Sequence, residues 1–173
     1  MHKKQVWIGE LTGTHFNEVW AGIGDQGLVA VSLYDGRERF AEEVQQLTGI
    51  APEYDLARLA NVTTQLQEYF VGKRQVFDMQ IDWSVMTPFQ QEALKQVFAI
   101  EYGRIVTYGD IAKTLGKPNA SRAVGRANAT NPMPIVIPCH RVLGSDGKLH
   151  GYGGPGGLET KAWLLRLEGS WLI

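Results

Sequence analysis

The stretch Ile135-Val136-Ile137-Pro138-Cys139-His140-Arg141-Val142 constrains this chain more than any other. It holds the only cysteine among 173 residues, in an apolar run with a proline before it and two basic residues after it. Proline fixes its own φ and disfavours helix in the residue before it, so Ile135 to Ile137 are expected to be extended and to end abruptly at Cys139. A thiol at a rigid strand end, beside an imidazole and a guanidinium, is a place where a thiolate can form, because nearby positive charge lowers a cysteine pKa. The opposing reading is an inert buried thiol, the usual fate of a lone cysteine among Val and Ile. The rest of the chain has to choose between them.

Several function classes are excluded early. One cysteine rules out an internal disulfide framework and implies a reducing, cytoplasmic setting. The start, Met1-His2-Lys3-Lys4-Gln5, lacks the apolar core of a signal peptide, and no apolar run approaches the roughly 20 residues needed to cross a bilayer. His2, His15, His140 and His150 have no ligand spacing, so no metal is expected. No Walker motif occurs, and the glycines after Tyr152 lack the strand-to-helix context of a dinucleotide site, so no cofactor is expected either.

The net charge of −1 argues against a nucleic-acid protein, but its distribution does not. Residues 1–83 carry 7 Lys+Arg and 12 Asp+Glu, a net of −5, while residues 84–173 carry 10 and 6, a net of +4. The basic half could meet phosphate; the acidic half is not expected to.

Three β-rich runs open the chain: Val6 to Ile8, Glu18 to Ile23 and Leu28 to Leu33, with Asp25-Gln26-Gly27 as a hairpin turn. Arg37 to Thr48 carries Phe40, Val44 and Leu47 at helical spacing and stops at Gly49. Leu56 to Phe70 repeats that pattern. This half shows no chemistry and reads as a scaffold.

Near residue 84 the character changes. Thr87-Pro88-Phe89-Gln90 has an N-cap, a proline at the first helical position and a glutamine at the third. The helix is expected to run to about Ile100, burying Phe89, Leu94, Val97 and Phe98. Tyr108 to Gly116 then reads as a short helix, Lys117-Pro118 as a turn, and Ala120 to Ala129 as a second helix capped by Asn119, together a helix-turn-helix. Ala120, Ser121, Ala123, Gly125, Ala127 and Ala129 leave the second helix thin, with Arg122 and Arg126 projecting. Such a helix suits close approach to a narrow groove with little base readout. The opposing reading is a small-residue helix packed tightly against a neighbour. Asn131 is placed to cap the turn that holds Cys139, and Gly144 to Lys148 reads as the tip of a wing. The last helix, Leu158 to Leu167, is expected to turn Trp163, Leu164 and Leu167 inward and to end at Glu168.

Pro138-Cys139-His140-Arg141-Val142, preceded by Asn131-Pro132 and by Ser121-Arg122-Ala123-Val124-Gly125, resembles the O6-alkylguanine-DNA alkyltransferase family from about Thr87 to Gly169. The resemblance implies direct, irreversible transfer of an alkyl group from O6-alkylguanine in duplex DNA to Cys139, once per molecule. It makes His140, linked through water to Cys139 and held by Glu168, the proton acceptor. Arg122 becomes the finger that fills the gap of a flipped-out base, flanked on the DNA face by Ser121, Ala123, Gly125 and Arg126. Tyr108 assists nucleotide rotation and protonates the leaving guanine, and Asn131 orders the turn. Tyr152, Gly153, Met133, Pro134 and Val142 would line the base pocket. Gly153 stands where relatives often carry serine, which bears on pocket size and not on the reaction. The implied fold is α+β. Residues 1–83 form a scaffold with a small antiparallel sheet, and residues 84–173 a mainly helical DNA-binding and alkyl-acceptor domain with a winged helix-turn-helix. The expected protein is a cytoplasmic or nucleoid-associated monomer. A winged-helix regulator would explain the helices without the cysteine run, and a cysteine hydrolase the reverse.

Overall fold

The computed structural model describes residues 4–151 and 156–170. The chain divides into two compact units, Met1–Met86 and Thr87–Ile173.

The first unit is a four-stranded sheet in the order β3-β2-β1-β4 with two helices. Strands β1 (Val6–Thr14), β2 (Asn17–Gly24) and β3 (Gly27–Leu33) form the meander foreseen from their β-branched runs. Asp25 and Gln26 bridge β2 and β3, which pair Gly24 with Gly27. Gly27 sits at φ 121°, and a Cβ there would lie 2.5 Å from the Gln80 carbonyl, so only glycine admits the returning chain at this point. That chain is held by Leu28 N donating to Gln80 O at 2.9 Å and Asp82 N to Leu28 O at 2.9 Å.

The sheet is not purely antiparallel. Glu53–Tyr54 (β4) joins the edge parallel to β1, a two-residue strand too short to leave a periodic signal. Helix α1 (Arg37–Thr48) ends at Gly49, whose φ of 73° gives the left-handed cap. It buries Phe40 and Val44 against Val6, Ile8, Trp20, Val29 and Ala30. Helix α2 begins at Ala60 and runs to Phe70, four residues later than its apolar pattern suggests. Residues 56–59 are turns instead, because Asp55 Oδ1 accepts from Arg58 N and Asp55 N is tied to Ile8 O.

The second unit packs helices α3 (Pro88–Phe98), α4 (Tyr108–Thr114) and α5 (Ser121–Ala129) against one another. A two-residue parallel pair joins β5 (Val106–Thr107) to β6 (Val142–Leu143), and α6 (Gly157–Leu167) packs on the turn 139–141. Helix α3 starts with the expected capping box, Thr87 accepting from Gln90 N and Gln90 Oε1 accepting from Thr87 N. Its buried stripe is Ala93, Leu94 and Val97. Phe98 lies one residue beyond it and is 40% exposed, against expectation.

Helix α5 is capped by Ala120, not Asn119, because Ala120 N closes a turn on Lys117 O at 2.8 Å and so takes the cap position. No second wing strand occurs among the described residues. The chain does reverse at 144–148, with Gly147 N bonding Gly144 O, but the strand before it pairs with β5 and not with a following strand. In α6 the buried face is Thr160, Lys161, Ala162, Leu164 and Leu165, leaving Trp163 and Leu167 half-buried. The reason is a lysine that turns inward.

Candidate active site around Cys139

The apolar run before Cys139 is a tight turn and not a strand. Pro132, Pro134 and Pro138 have no N–H, so no continuous ladder can form through them. Asn131 organises the segment instead: its Nδ2 donates to Ile137 O at 2.9 Å and its Oδ1 accepts from Met133 N at 3.0 Å. Ile137 N then closes on Met133 O at 2.9 Å, and Ile135 is forced to φ 76°. A β-branched residue in that region is strained and persists only where its surroundings dictate it. Ile135 is fully buried.

From this turn Cys139–Arg141 forms a single 3-10 turn. Cys139 is 4% exposed, and Asn128 Nδ2 on α5 donates to its carbonyl at 3.0 Å. Burial pushes the thiol up from its ordinary value, opposed by the Asn131 amide, the Lys161 ammonium and the backbone N–H groups of residues 139 and 140. This corrects the expectation that flanking basic residues lower it. Arg141 gives its charge to another partner, and the cation that acts on Cys139 comes from α6.

That other partner is Glu168. Its carboxylate accepts from His140 Nε2 at 2.7 Å, Arg141 Nε at 2.8 Å, Arg141 Nη2 at 2.9 Å and Gly103 N at 3.2 Å. Burial alone would raise its pKa, but the bonds from His140 and Arg141 prevail and hold it well below the usual carboxylate range. A carboxylate that stays ionised can only accept, so His140 donates from Nε2 and keeps its lone pair on Nδ1. Burial also lowers the imidazole pKa, against the raising effect of Glu168. A neutral, oriented imidazole is the form that can take a proton.

Lys161 is the residue that sequence reasoning missed. It is fully buried, and its Nζ donates to Val142 O at 2.6 Å and His150 O at 3.0 Å, with the Tyr108 ring 5.8 Å away. Burial lowers it to about 8, and Cys139 opposes the shift. Its spacing gave a signal: Lys161, Leu164, Leu165 and Glu168 share one helical face. Asn128 was missed for a similar reason, since it follows Val124 and Ala127 on the inward stripe of α5.

Tyr108 stands at the first position of α4, set by a capping box between Thr107 and Asp110. Its ring is 3.9 Å from where a Cβ on Gly125 would be, an ordinary contact distance, so α5 passes beside it. Its hydroxyl donates to His150 O at 3.3 Å, and burial raises its pKa. On α5, Arg122, Ala123 and Arg126 are exposed, and Ser121 and Gly125 half-buried. Neither arginine pairs with a carboxylate among the described residues. Beside them lies a shallow groove of about 430 Å³ lined by Thr87, Phe89, Gln90, Ala123, Arg126 and Thr130. Met133 and Val142 are fully buried and Pro134 half-buried. Tyr152 and Gly153 lie outside the described residues. The structure thus gathers Cys139, His140, Glu168, Asn131 and Tyr108 about one turn, with the exposed arginines on the neighbouring helix.

Residues 88–170 match the family described as 6-O-methylguanine DNA methyltransferase, DNA binding domain. The methylated-DNA–protein-cysteine methyltransferase of Mycobacterium tuberculosis is 46% identical over 156 residues, covering 90% of this chain and 93% of that protein. The protein of the same name from Shigella flexneri is 40% identical over 142 residues, covering 79% and 82%. A crystal structure of Mycobacterium tuberculosis OGT in complex with DNA superposes with a TM-score of 0.79 at 34% identity, covering 95% of this chain and 93% of that one. With a relative this similar along nearly its whole length, and a site assembled about the sole cysteine, this chain belongs to the methylated-DNA–protein-cysteine methyltransferase family.

Proposed function

We propose that Cys139 is the alkyl acceptor and that the groups around it divide the work of a displacement at saturated carbon. The family activity, direct transfer of an alkyl group from DNA to a protein cysteine, repairs the base in one step. Sγ attacks the alkyl carbon, the carbon–O6 bond breaks, and its electron pair leaves with guanine. Three needs follow: a proton must leave the thiol, charge must be supported on sulfur, and a proton must reach the departing base. His140 Nδ1, reached through a water, takes the thiol proton while Glu168 fixes the ring. Lys161 supports the developing thiolate. Tyr108 supplies the proton to guanine. The single observation that carries this reading is the buried Glu168–His140 pair adjoining the sole cysteine.

Helices α4 and α5, with the chain reversal at 144–148 in the place of a stranded wing, then act as a winged helix-turn-helix that meets duplex DNA through the unit Thr87–Ile173, which carries the basic excess. Arg122 enters the stack when the damaged nucleotide swings out, because a base inside a duplex is out of reach of a buried thiol. Ser121, Ala123, Gly125 and Arg126 border that contact, and Asn131 fixes the turn below it. Met133, Pro134 and Val142, with Tyr152 and Gly153, bound the base pocket. The first unit is a scaffold. The protein works as a monomer on double-stranded DNA carrying O6-alkylguanine, without a cofactor, in the cytoplasm or on the nucleoid.

The test uses duplex DNA bearing O6-methylguanine labelled in the methyl group. Label is expected on Cys139, repair is expected to stop at one equivalent per protein under tenfold DNA excess, and Cys139→Ser is expected to bind DNA but transfer nothing. Label on another residue, transfer by the serine variant, or repair beyond one equivalent overturns the reading.

A further inference from the structure

Residues 144–150 hold a contact that the reaction scheme above leaves unused. His150 Nε2 lies 2.9 Å from both carboxylate oxygens of Asp146, and Asp146 Oδ1 also accepts from Lys148 N at 3.0 Å. The His150 and Lys148 bonds hold the Asp146 carboxyl below its ordinary range. Gly144 makes room for this arrangement: a Cβ there would lie 2.3 Å from His150 Cδ2 and 2.8 Å from Asp146 Oδ1. Gly144 is not among the glycines at positive φ, so its backbone would accept alanine and only the ring and carboxylate would be displaced.

The outer face of this contact is exposed, with His150 and Asp146 side chains at 55% and 46%. Its inner face is not. The backbone carbonyl of the same His150 receives two donors from two different helices, the Tyr108 hydroxyl of α4 at 3.3 Å and the Lys161 ammonium of α6 at 3.0 Å. Lys161 has a second acceptor, Val142 O at 2.6 Å, that would keep it in place. The Tyr108 hydroxyl is shared between His150 O and the Asn128 side chain, so the place of that carbonyl sets one of its two contacts.

We propose that Gly144, Asp146 and His150 form a clasp that fixes the His150 carbonyl and thereby aims the Tyr108 hydroxyl, making the three of them positioning residues for the proton donor. This rests on the reading of Cys139 as acceptor and Tyr108 as donor. An exposed side-chain contact of this kind contributes little to global stability, and the clasp is no exception. Its effect is local: a short loop is held in one conformation, and a hydroxyl that has to meet guanine is held with it.

The experiment compares two reagents on the intact protein. Free O6-benzylguanine has a leaving base that needs protonation, whereas iodoacetamide alkylates Cys139 with iodide leaving and needs none. Asp146→Ala and Gly144→Ala are each expected to slow benzyl transfer roughly two- to fivefold, the range an exposed side-chain contact commands, and to leave the iodoacetamide rate and the melting temperature unchanged. In a Tyr108→Phe background, where the hydroxyl is gone, Asp146→Ala is expected to add nothing, the signature of two residues acting through one contact. Equal slowing with both reagents, equal slowing in the Tyr108→Phe background, or no slowing at all overturns the clasp. A wild-type protein that takes no methyl group on Cys139 from duplex O6-methylguanine overturns the acceptor reading itself and the clasp with it.

Discussion

Among the described residues the first unit buries Ser32, Asp35 and Gln65 as its polar side chains, whereas the second buries Asn128, His140, Arg141, Thr160, Lys161 and Glu168. The polar groups of the first unit are answered locally: Ser32 bonds Asp35, and Gln65 grips both the N–H and the carbonyl of Asp78 at 2.8 Å to hold a loop. Everything else in that core is aliphatic or aromatic, with Phe16, Phe40, Leu66 and Tyr69 fully buried. The second unit takes two cations, an imidazole and a carboxylate out of water, an arrangement costly unless every member is paired. A scaffold can be built from shape alone. A nucleophile needs an electrostatic environment, and within it a buried ion pair that loses one partner leaves the other charge uncompensated.

The sharpest way to break this contrast is to remove one member from each core. Leu66→Ala is expected to destabilise the first unit by about 2–5 kcal/mol, through lost burial and the cavity left behind. Glu168→Ala is expected to cost about 3–5 kcal/mol in the second, because Arg141 and His140 are left facing no carboxylate. The two also differ in pH dependence. Glu168 has a folded pKa depressed from its ordinary 4.5, so its contribution is complete above that value and is lost as pH falls through the folded pKa. Urea melts from pH 7 downward should show that acid loss in wild type and in Leu66→Ala but a weaker one in Glu168→Ala. The same acid slope in all three would remove Glu168 as the organising charge.

Lys161 makes the contrast finer. Its ammonium is disfavoured in the folded state, with a pKa of about 8 against an ordinary 10.5. The unfolded chain therefore binds more protons between those values, and stability should rise with pH across that window. Lys161→Met removes the rise and should match or exceed wild-type stability below pH 8, by on the order of 1–3 kcal/mol. The same variant should lower Cys139 reactivity at neutral pH, since its supporting cation is gone. A variant both less stable at pH 7 and equally reactive would show that Lys161 is merely a structural tie.

The smallest effect tests whether local signals matter near the site. Thr107→Ala removes the side chain that accepts from Asp110 N at 3.1 Å and should cost about 1 kcal/mol by thermal melting. Because Tyr108 follows it directly, benzyl transfer should slow as well, whereas Thr87→Ala, with the same capping role at α3, should lose similar stability with no change in rate. Equal rates in both variants would detach the cap of α4 from the chemistry.

These elements also show what the sequence could reveal. Helices α1 and α3 were legible because their signals are local, the apolar stripe and Gly49 stop of α1 and the capping box and Pro88 of α3, and the hairpin of β2 and β3 because its turn residues are local too. Strand β4 was not, since two residues carry no period. The segment before Cys139 looked extended because Pro138 disfavours helix in the residue before it, yet the three prolines' missing N–H groups and the Asn131 amide fold it into a turn. Cys139, His140, Glu168, Tyr108 and Asn131 were legible through family resemblance, and the structure brings them together. Lys161 was overlooked because a lysine reads as solvated even when, as here, its spacing puts it on the inward face of its helix. The carbonyls of Val142 and His150, brought near by folding, are the partners that hold it there.

The single buried cysteine has a consequence beyond the reaction itself. With Cys139 as acceptor, a sulfur bonded to an alkyl carbon has no carbonyl for water to attack, and no second thiol exists in the chain to relieve it. Repair capacity is then a number of molecules and not a rate. A cell holding this protein can correct at most as many lesions as it has copies, and a heavier dose can be met only by translating more. Among the described residues no group at the site would recharge a thioether, so each further repair would call for a new copy of the chain.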